Sequence, residues 1–206
     1  MKVNGLILSA GLSSRMGDFK PLMPLCGKTV IENSIDSMLL SGVERVVVVT
    51  GYRAQELEMV IHGRYLGETV ISTRNPDFES TDMLASIKIG LEAMPECGAF
   101  FMLPGDMPII RKETYLAVFQ AMSETGAAIV FPALSGQRKH PPLISSMLIP
   151  DILSYQGPGG LRDMWKYHED KIITVPVDDV GCWTDIDTFE QYLRCISRYQ
   201  SETIKF

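Results

Sequence analysis

"LILSAGLSSRMGDFKPLM", residues 6–23, sets a short apolar run against an abrupt stop at small residues. Leu6, Ile7 and Leu8 read as a buried strand, and Ser9, Ala10 and Gly11 turn the chain at its end. In open α/β sheets, ligands bind beyond the carboxyl ends of the strands. Small residues there let the backbone approach a ligand, and successive N–H groups form an anion-binding concavity. Arg15 and Lys20 would add charge and donors. The same residues fit a plain Gly/Ser turn flanked by surface cations equally well. The spacing is neither GxGxxG nor GxxxxGK[ST], so the dinucleotide fingerprint and the P-loop do not apply.

Outward from this stretch, apolar runs alternate with helical patterns. "RVVVVTGY" (45–52) is the clearest strand, its four valines suited to a parallel sheet buried on both faces. Further strands are expected at 68–75, 99–104, 127–133 and 171–177. "KTVIENSIDSMLLSG" (28–42) places Ile31, Ile35, Met38 and Leu39 at helical spacing. Helices are also expected at 53–66, at 81–94 with Met83, Leu84, Ile87, Leu91 and Met94 on one stripe, and at 111–125. A last helix over 187–200 is expected to turn Phe189, Tyr192, Leu193 and Ile196 inward. Strands separated by helices argue for a mostly parallel sheet with helices on both faces. The Pro- and Gly-richer block from about 131 to 186 is expected to add an antiparallel edge and a substrate subregion.

The 206 residues are enough for one α/β domain with a sizeable core, and no repeat or interdomain linker divides residues 1–206. The net charge of −6 argues against a general nucleic-acid surface, so an anionic ligand must be captured locally. Cys26, Cys97, Cys182 and Cys195 show no metal-ligand spacing and read as reduced thiols of a cytoplasmic protein. No segment approaches the roughly 20 apolar residues of a membrane span.

Two further strand ends carry carboxylates. In "LPGDMP" (103–108), Asp106 follows an apolar run within a Pro/Gly turn. Such a carboxylate suits a divalent cation, since Mg²⁺ takes one or two carboxylates plus substrate phosphates. The competing reading is a cap for the helix that begins near Arg111. In "WTDIDTF" (183–189), Asp185 and Asp187 flank Ile186, and extended backbone would turn both to one side. One of them suits a metal, while Asp187 also suits the N-cap of the following helix. Trp183 reads either as core packing or as a support for Asp185, and Cys182 as core ahead of a place in the site lining.

"LSAGLSSRMGDFKPLM", "LPGDMP", "RKHPPLIS", "GPGGLR" and "DIDT" occur in this order across roughly residues 3 to 195. Together they resemble the MobA-like nucleotidyltransferase family, especially its molybdenum cofactor cytidylyltransferase branch. The resemblance implies a Rossmann-like, GT-A type, three-layer α/β domain with a mostly parallel mixed sheet. It implies transfer of a nucleotidyl group from an NTP to a phosphate-bearing acceptor with release of pyrophosphate. Ser9, Ala10, Gly11, Arg15 and Lys20 would hold the nucleotide, with Arg15, Lys20 and Asp106 as catalytic groups. Asp106 and Asp185 would bind Mg²⁺, and His140 and Arg162 would face the acceptor. Ala10 resembles the CTP users, and the molybdenum cofactor would be the acceptor. A molybdoenzyme or its maturation factors would be the protein partner.

Three positions depart from that pattern. Lys139 stands where the family often has Gly, Pro158 where it often has an acidic residue, and "ESTDMLAS" (79–86) lacks its usual Gly. The last stretch is similar to cytidylyltransferases of choline phosphate or sugar phosphates. A non-catalytic nucleotide-binding protein is the third reading, disfavoured because pure binding needs no pair of metal carboxylates.

Overall fold

The computed structural model describes residues 1–12 and 18–203. Its centre is an eight-stranded sheet. In chain order the elements begin with β1 (Val3–Ser9), β2 (Pro24–Leu25), β3 (Lys28–Thr29), α1 (Val30–Leu40), β4 (Val46–Thr50), α2 (Ala54–Arg64), β5 (Val70–Arg74) and α3 (Met83–Glu92). They continue with β6 (Ala99–Pro104), α4 (Lys112–Thr125), β7 (Ile129–Leu134), β8 (Gln137–Arg138), β9 (Leu143–Ser145), α5 (Ile149–Ser154), α6 (Gly160–Lys166), β10 (Ile172–Pro176) and α7 (Phe189–Thr203). The strand order is β10-β7-β9-β6-β1-β4-β5, with β8 paired to β7.

The valine run explains the layering. Successive side chains of a strand point to opposite faces. Val46 and Val48 pack with Ile31, Ile35 and Leu57 of α1 and α2 and with Val118 of α4. Val47 and Val49 pack on the other face with Leu84 and Ile87 of α3 and with Ile152, Met164 and Trp165 of α5 and α6. The result is the expected three-layer, Rossmann-like α/β arrangement with a mostly parallel mixed sheet. Thr29 starts α1 with a reciprocal cap: its hydroxyl accepts from the Glu32 N–H, and Glu32 accepts from the Thr29 N–H.

Three expectations are corrected. The antiparallel element is not confined to an edge: β9 lies inside the sheet, antiparallel to both β6 and β7. Its Leu143 and Ile144 are fully buried, one on each face, so it takes a central place despite its length. In α7 the inward stripe is Tyr192, Cys195 and Ile196, whereas Phe189 and Leu193 are exposed. This helix covers only the small β2–β3 hairpin region, around Met23, Leu25 and Val30, and needs a narrow apolar face. Met83 opens α3 and is exposed rather than part of its buried stripe. No helix among the described residues is long and apolar enough to cross a membrane.

Candidate functional site

The carboxyl ends of β1 and β6 are neighbours because the strands pair in register, Leu8 opposite Pro104. The Gly105 N–H donates to the Leu8 carbonyl at 2.9 Å, which carries Asp106 to the turn after β1. A Cβ at Gly105 would stand 2.7 Å from Ser9 Oγ, so only glycine admits so close an approach. The Ile186 N–H donates to the Asp106 carbonyl at 3.1 Å. Ile186 is fully buried against Tyr192 and Cys195, and this anchor fixes the segment holding Asp185 and Asp187 beside Asp106.

Lys20 closes the group. It opens a 3₁₀ turn, Lys20–Leu22, and is only 6% exposed. Its ammonium donates to Asp187 Oδ1 at 2.6 Å and lies 3.6 Å from Asp106 Oδ2. Asp185 accepts from Gln191 Nε2 at 3.3 Å. Burial is the main force pushing the Asp106 carboxyl above the usual carboxylate range; the charges of Asp187 and Asp185 push the same way and Lys20 opposes them.

These residues divide two adjoining lobes. One, of about 440 Å³, is lined by Ser9, Ala10, Gly11 and Lys20 on one side and by Phe78, Thr81 and Ser86 on the other. The second, of about 570 Å³, is lined by Lys139, His140, Cys182, Trp183 and Asp185. Pro104, Asp106 and Asp187 line both. Ser9 Oγ is buried without a hydrogen-bond partner at the floor of the first lobe. A buried polar atom left in this way suits a ligand that supplies the missing bond.

His140 arrives on the loop before β9, through a cis His140–Pro141 peptide bond. Burial lowers its pKa, and the nearby Lys139 charge adds to this against a backbone hydrogen bond at Met102. The ring is therefore held neutral, and its Nδ1 is buried without a partner.

The structure thus gathers Ser9, Ala10, Gly11, Lys20, Asp106, Asp185 and His140 around one divided cavity. Arg162, on α6, is exposed and lines neither lobe. Arg15 lies outside the described residues. The competing reading of Asp106 as a cap for α4 does not hold: the buried Asp179 takes that role, accepting from the Arg111 N–H at 2.8 Å and the Thr114 hydroxyl at 2.7 Å. Thr188, not Asp187, caps α7 by accepting from the Gln191 N–H, which leaves Asp187 to Lys20.

Sequence reasoning singled out the stretch up to Ser86 for its missing glycine but missed what shapes it. Asn75, just past β5, is buried; its amide donates to Thr81 Oγ1 and Ser86 Oγ, both at 3.0 Å. It thereby shapes the 75–86 segment that lines the lobe. A polar side chain just after a strand was the signal available for it.

A divalent cation fits this donor set. Three carboxylates face the shared cavity, and among the described residues Lys20 is the cation paired with Asp106 and Asp187. No group of three or more His, Cys, Asp or Glu ligands occurs among the described residues. The site therefore suits a cation bound through one or two carboxylates and completed by substrate oxygens.

The chain is 28% identical over 198 residues to the molybdenum cofactor cytidylyltransferase of Escherichia coli (strain K12), a match covering 96% of this chain and 97% of that protein. It is 31% identical over 113 residues to the 2-aminoethylphosphonate cytidylyltransferase of Lancefieldella rimae, covering 52% of this chain and 44% of that protein. In structure it resembles a nucleotidyl transferase from Methanothermobacter thermautotroptrophicus, with a TM-score of 0.80, 24% identity and coverage of 98% of this chain and 99% of that one. The family model of the MobA-like NTP transferase domain matches residues 5–172. A match of that extent, over a fold with two lobes meeting at Asp106, establishes that the chain belongs to the MobA-like NTP transferase family of nucleotidyltransferases.

Proposed function

We propose that this protein transfers CMP from CTP to the phosphate of a small acceptor, the molybdenum cofactor, and releases pyrophosphate. The observation that carries the reading is the meeting of two lobes at one pair of carboxylates, Asp106 and Asp187, with Lys20 between them. Nucleotide in the lobe of Ser9, Ala10 and Gly11 and acceptor in the lobe of His140 would meet at that point. Full-length similarity to the molybdenum cofactor cytidylyltransferase supports the choice of CTP and of acceptor. Action in the cytoplasm and contact with a molybdoenzyme or its maturation factors belong to the same reading.

An acceptor phosphate is ionised at neutral pH, so no side chain need act as base. Catalysis is then positioning and charge stabilisation. Lys20 holds its ammonium where charge gathers on the α-phosphate, and Arg15 would take the leaving pyrophosphate. The neutral His140 ring offers a hydrogen-bond acceptor to the incoming molecule. Mg²⁺, held by Asp106 and one carboxylate of the Asp185–Asp187 pair, would neutralise phosphate charge when bound. The Lys20 ammonium shared by Asp106 and Asp187 supports Asp187, in place of Asp185, as the second ligand.

A second reading keeps the chemistry and changes the acceptor to a small phosphate or phosphonate such as choline phosphate. Its support is the similarity to the 2-aminoethylphosphonate enzyme and the 79–86 segment without glycine. Calorimetry with CTP, GTP, ATP and UTP in the presence of Mg²⁺, beside Asp106→Ala, tests the nucleotide. Selective binding of CTP is expected, lost in the variant. Product assays with molybdenum cofactor and with choline phosphate then decide the acceptor. Failure of all four nucleotides to bind would sink both readings.

A further inference from the structure

The second lobe carries a cation that the mechanism above does not use. Lys139 lines it together with Asp106, His140, Trp183 and Asp185. Its ammonium stands 3.1 Å from the centroid of the Trp183 ring and donates to the Gln137 side-chain carbonyl at 3.1 Å. Both partners are uncharged. Among the described residues Lys139 makes no ion pair, although three carboxylates line the same lobe.

Trp183 explains why Lys139 does not collapse onto them. The ring is 57% exposed, an unusual state for a side chain that repays burial so well. Its face attracts a cation without neutralising it. The chain supports this placement from both sides. The Lys139 N–H donates to the Pro132 carbonyl at 2.8 Å. Trp183 ends a 3₁₀ turn, Val180–Trp183, whose Gly181 N–H is held by the buried Asp179 carboxylate at 2.8 Å.

An ammonium has three donors. Here one is spent on Gln137 and one side faces a ring, so the rest of its charge and donor capacity is directed to the lobe. His140 beside it is held neutral by burial and cannot supply that charge.

We propose that Lys139 is an acceptor-binding residue that receives an anionic oxygen of the acceptor's phosphate or phosphonate, and that Trp183 is its positioning residue. The inference rests on the nucleotidyl-transfer reading and deepens it. It gives the chain its own means of selecting acceptors that enter as phosphate monoester or phosphonate dianions, in a lobe that Lys20 does not line.

The test uses the full chain loaded with Mg²⁺ and a non-transferable CTP analogue. Binding of sn-glycerol 3-phosphate is followed by ³¹P line broadening, with glycerol as the neutral control. Tryptophan fluorescence gives a second readout, because Trp165 is buried and Trp183 is exposed. Saturable, salt-sensitive binding of the phosphate and none of glycerol is expected. Lys139→Met should weaken it about ten-fold, the loss of one charge-assisted hydrogen bond, while Lys139→Arg retains it. Trp183→Leu should weaken it about three-fold, with Trp183→Phe restoring binding, as expected of an exposed cation–π support. Affinity for the CTP analogue should stay unchanged in all four variants. Equal binding by the parent and Lys139→Met, the same response to glycerol, or no binding by the analogue-loaded parent would each overturn the inference alone. Failure of the CTP analogue to bind would remove the nucleotidyl-transfer reading, and this inference with it.

Discussion

The Lys20 ammonium lies 2.6 Å from the Asp187 carboxylate, joining residues 167 positions apart in the chain. Lys20 is buried, and Asp106 stands 3.6 Å from the same nitrogen. The first loop and the last carboxylate pair of the fold therefore share one charge. Lys20→Met leaves the helical circular dichroism in place and lowers the transfer rate by about 10²–10³-fold, the scale of one lost transition-state donor. Near-parental turnover by this variant would refute the role given to Lys20.

The two aspartates of "DIDT" should separate functionally. With Asp187 as metal ligand, Asp187→Asn weakens Mg²⁺-dependent CTP binding about ten-fold, and excess Mg²⁺ partly restores it. Asp185→Asn leaves CTP binding intact, because Asp185 faces the second lobe. Calorimetry at several Mg²⁺ concentrations reads both. The reverse pattern would return the metal to Asp185.

Asp106 makes stability depend on pH. Burial, then the neighbouring Asp187 and Asp185, hold its pKa above the usual range against the pull of Lys20. A raised carboxyl pKa means that the folded chain binds the proton more tightly than the unfolded chain. The stabilisation is complete below the unfolded pKa of about 3.9 and is lost as pH rises through the folded value. Asp106→Asn imitates the protonated form. It should raise the Tm of the ligand-free protein at pH 8, and the gain should disappear in acid. Thermal melts across pH check this; a difference that ignores pH would contradict it.

Asp179 is a structural carboxylate. It accepts from the Arg111 and Gly181 N–H groups and from the Thr114 hydroxyl, and it is 2% exposed. Asp179→Ala strands these donors and should lower the unfolding free energy by about 3 kcal/mol. Urea denaturation measures the loss. A change within experimental error would show that water replaces the carboxylate.

Much of this was written locally. Four consecutive valines, Val46–Val49, announce a strand buried on both faces, and the helices around them follow from their apolar spacing. Asp106 stands out because a carboxylate closes an apolar run in a Pro/Gly turn. Long-range facts were not legible. The place of β9 between β6 and β7 depends on its pairing with β6 across more than forty residues, which no local period encodes. The partner of Asp187 lies at the other end of the chain, so its local resemblance to a helix cap concealed its contact with Lys20. Phe189 and Leu193 fit a helical stripe, yet α7 has too small a surface beneath it to bury them.

The reversed direction of β9 has a consequence for how this fold can diversify. The neighbouring β6 presents its trailing end to the cavity, whereas β9 presents its leading end, so Lys139 and His140 before it line the second lobe. The backbone there is held on both sides of His140, the Lys139 N–H donating to the Pro132 carbonyl and the Met102 N–H to the Pro142 carbonyl. Between these two ties Lys139 and His140 line the second lobe. Exchange of the side chains at 139 and 140 alters what lines the second lobe while both backbone ties persist, giving a retained catalytic edge a route to new acceptors.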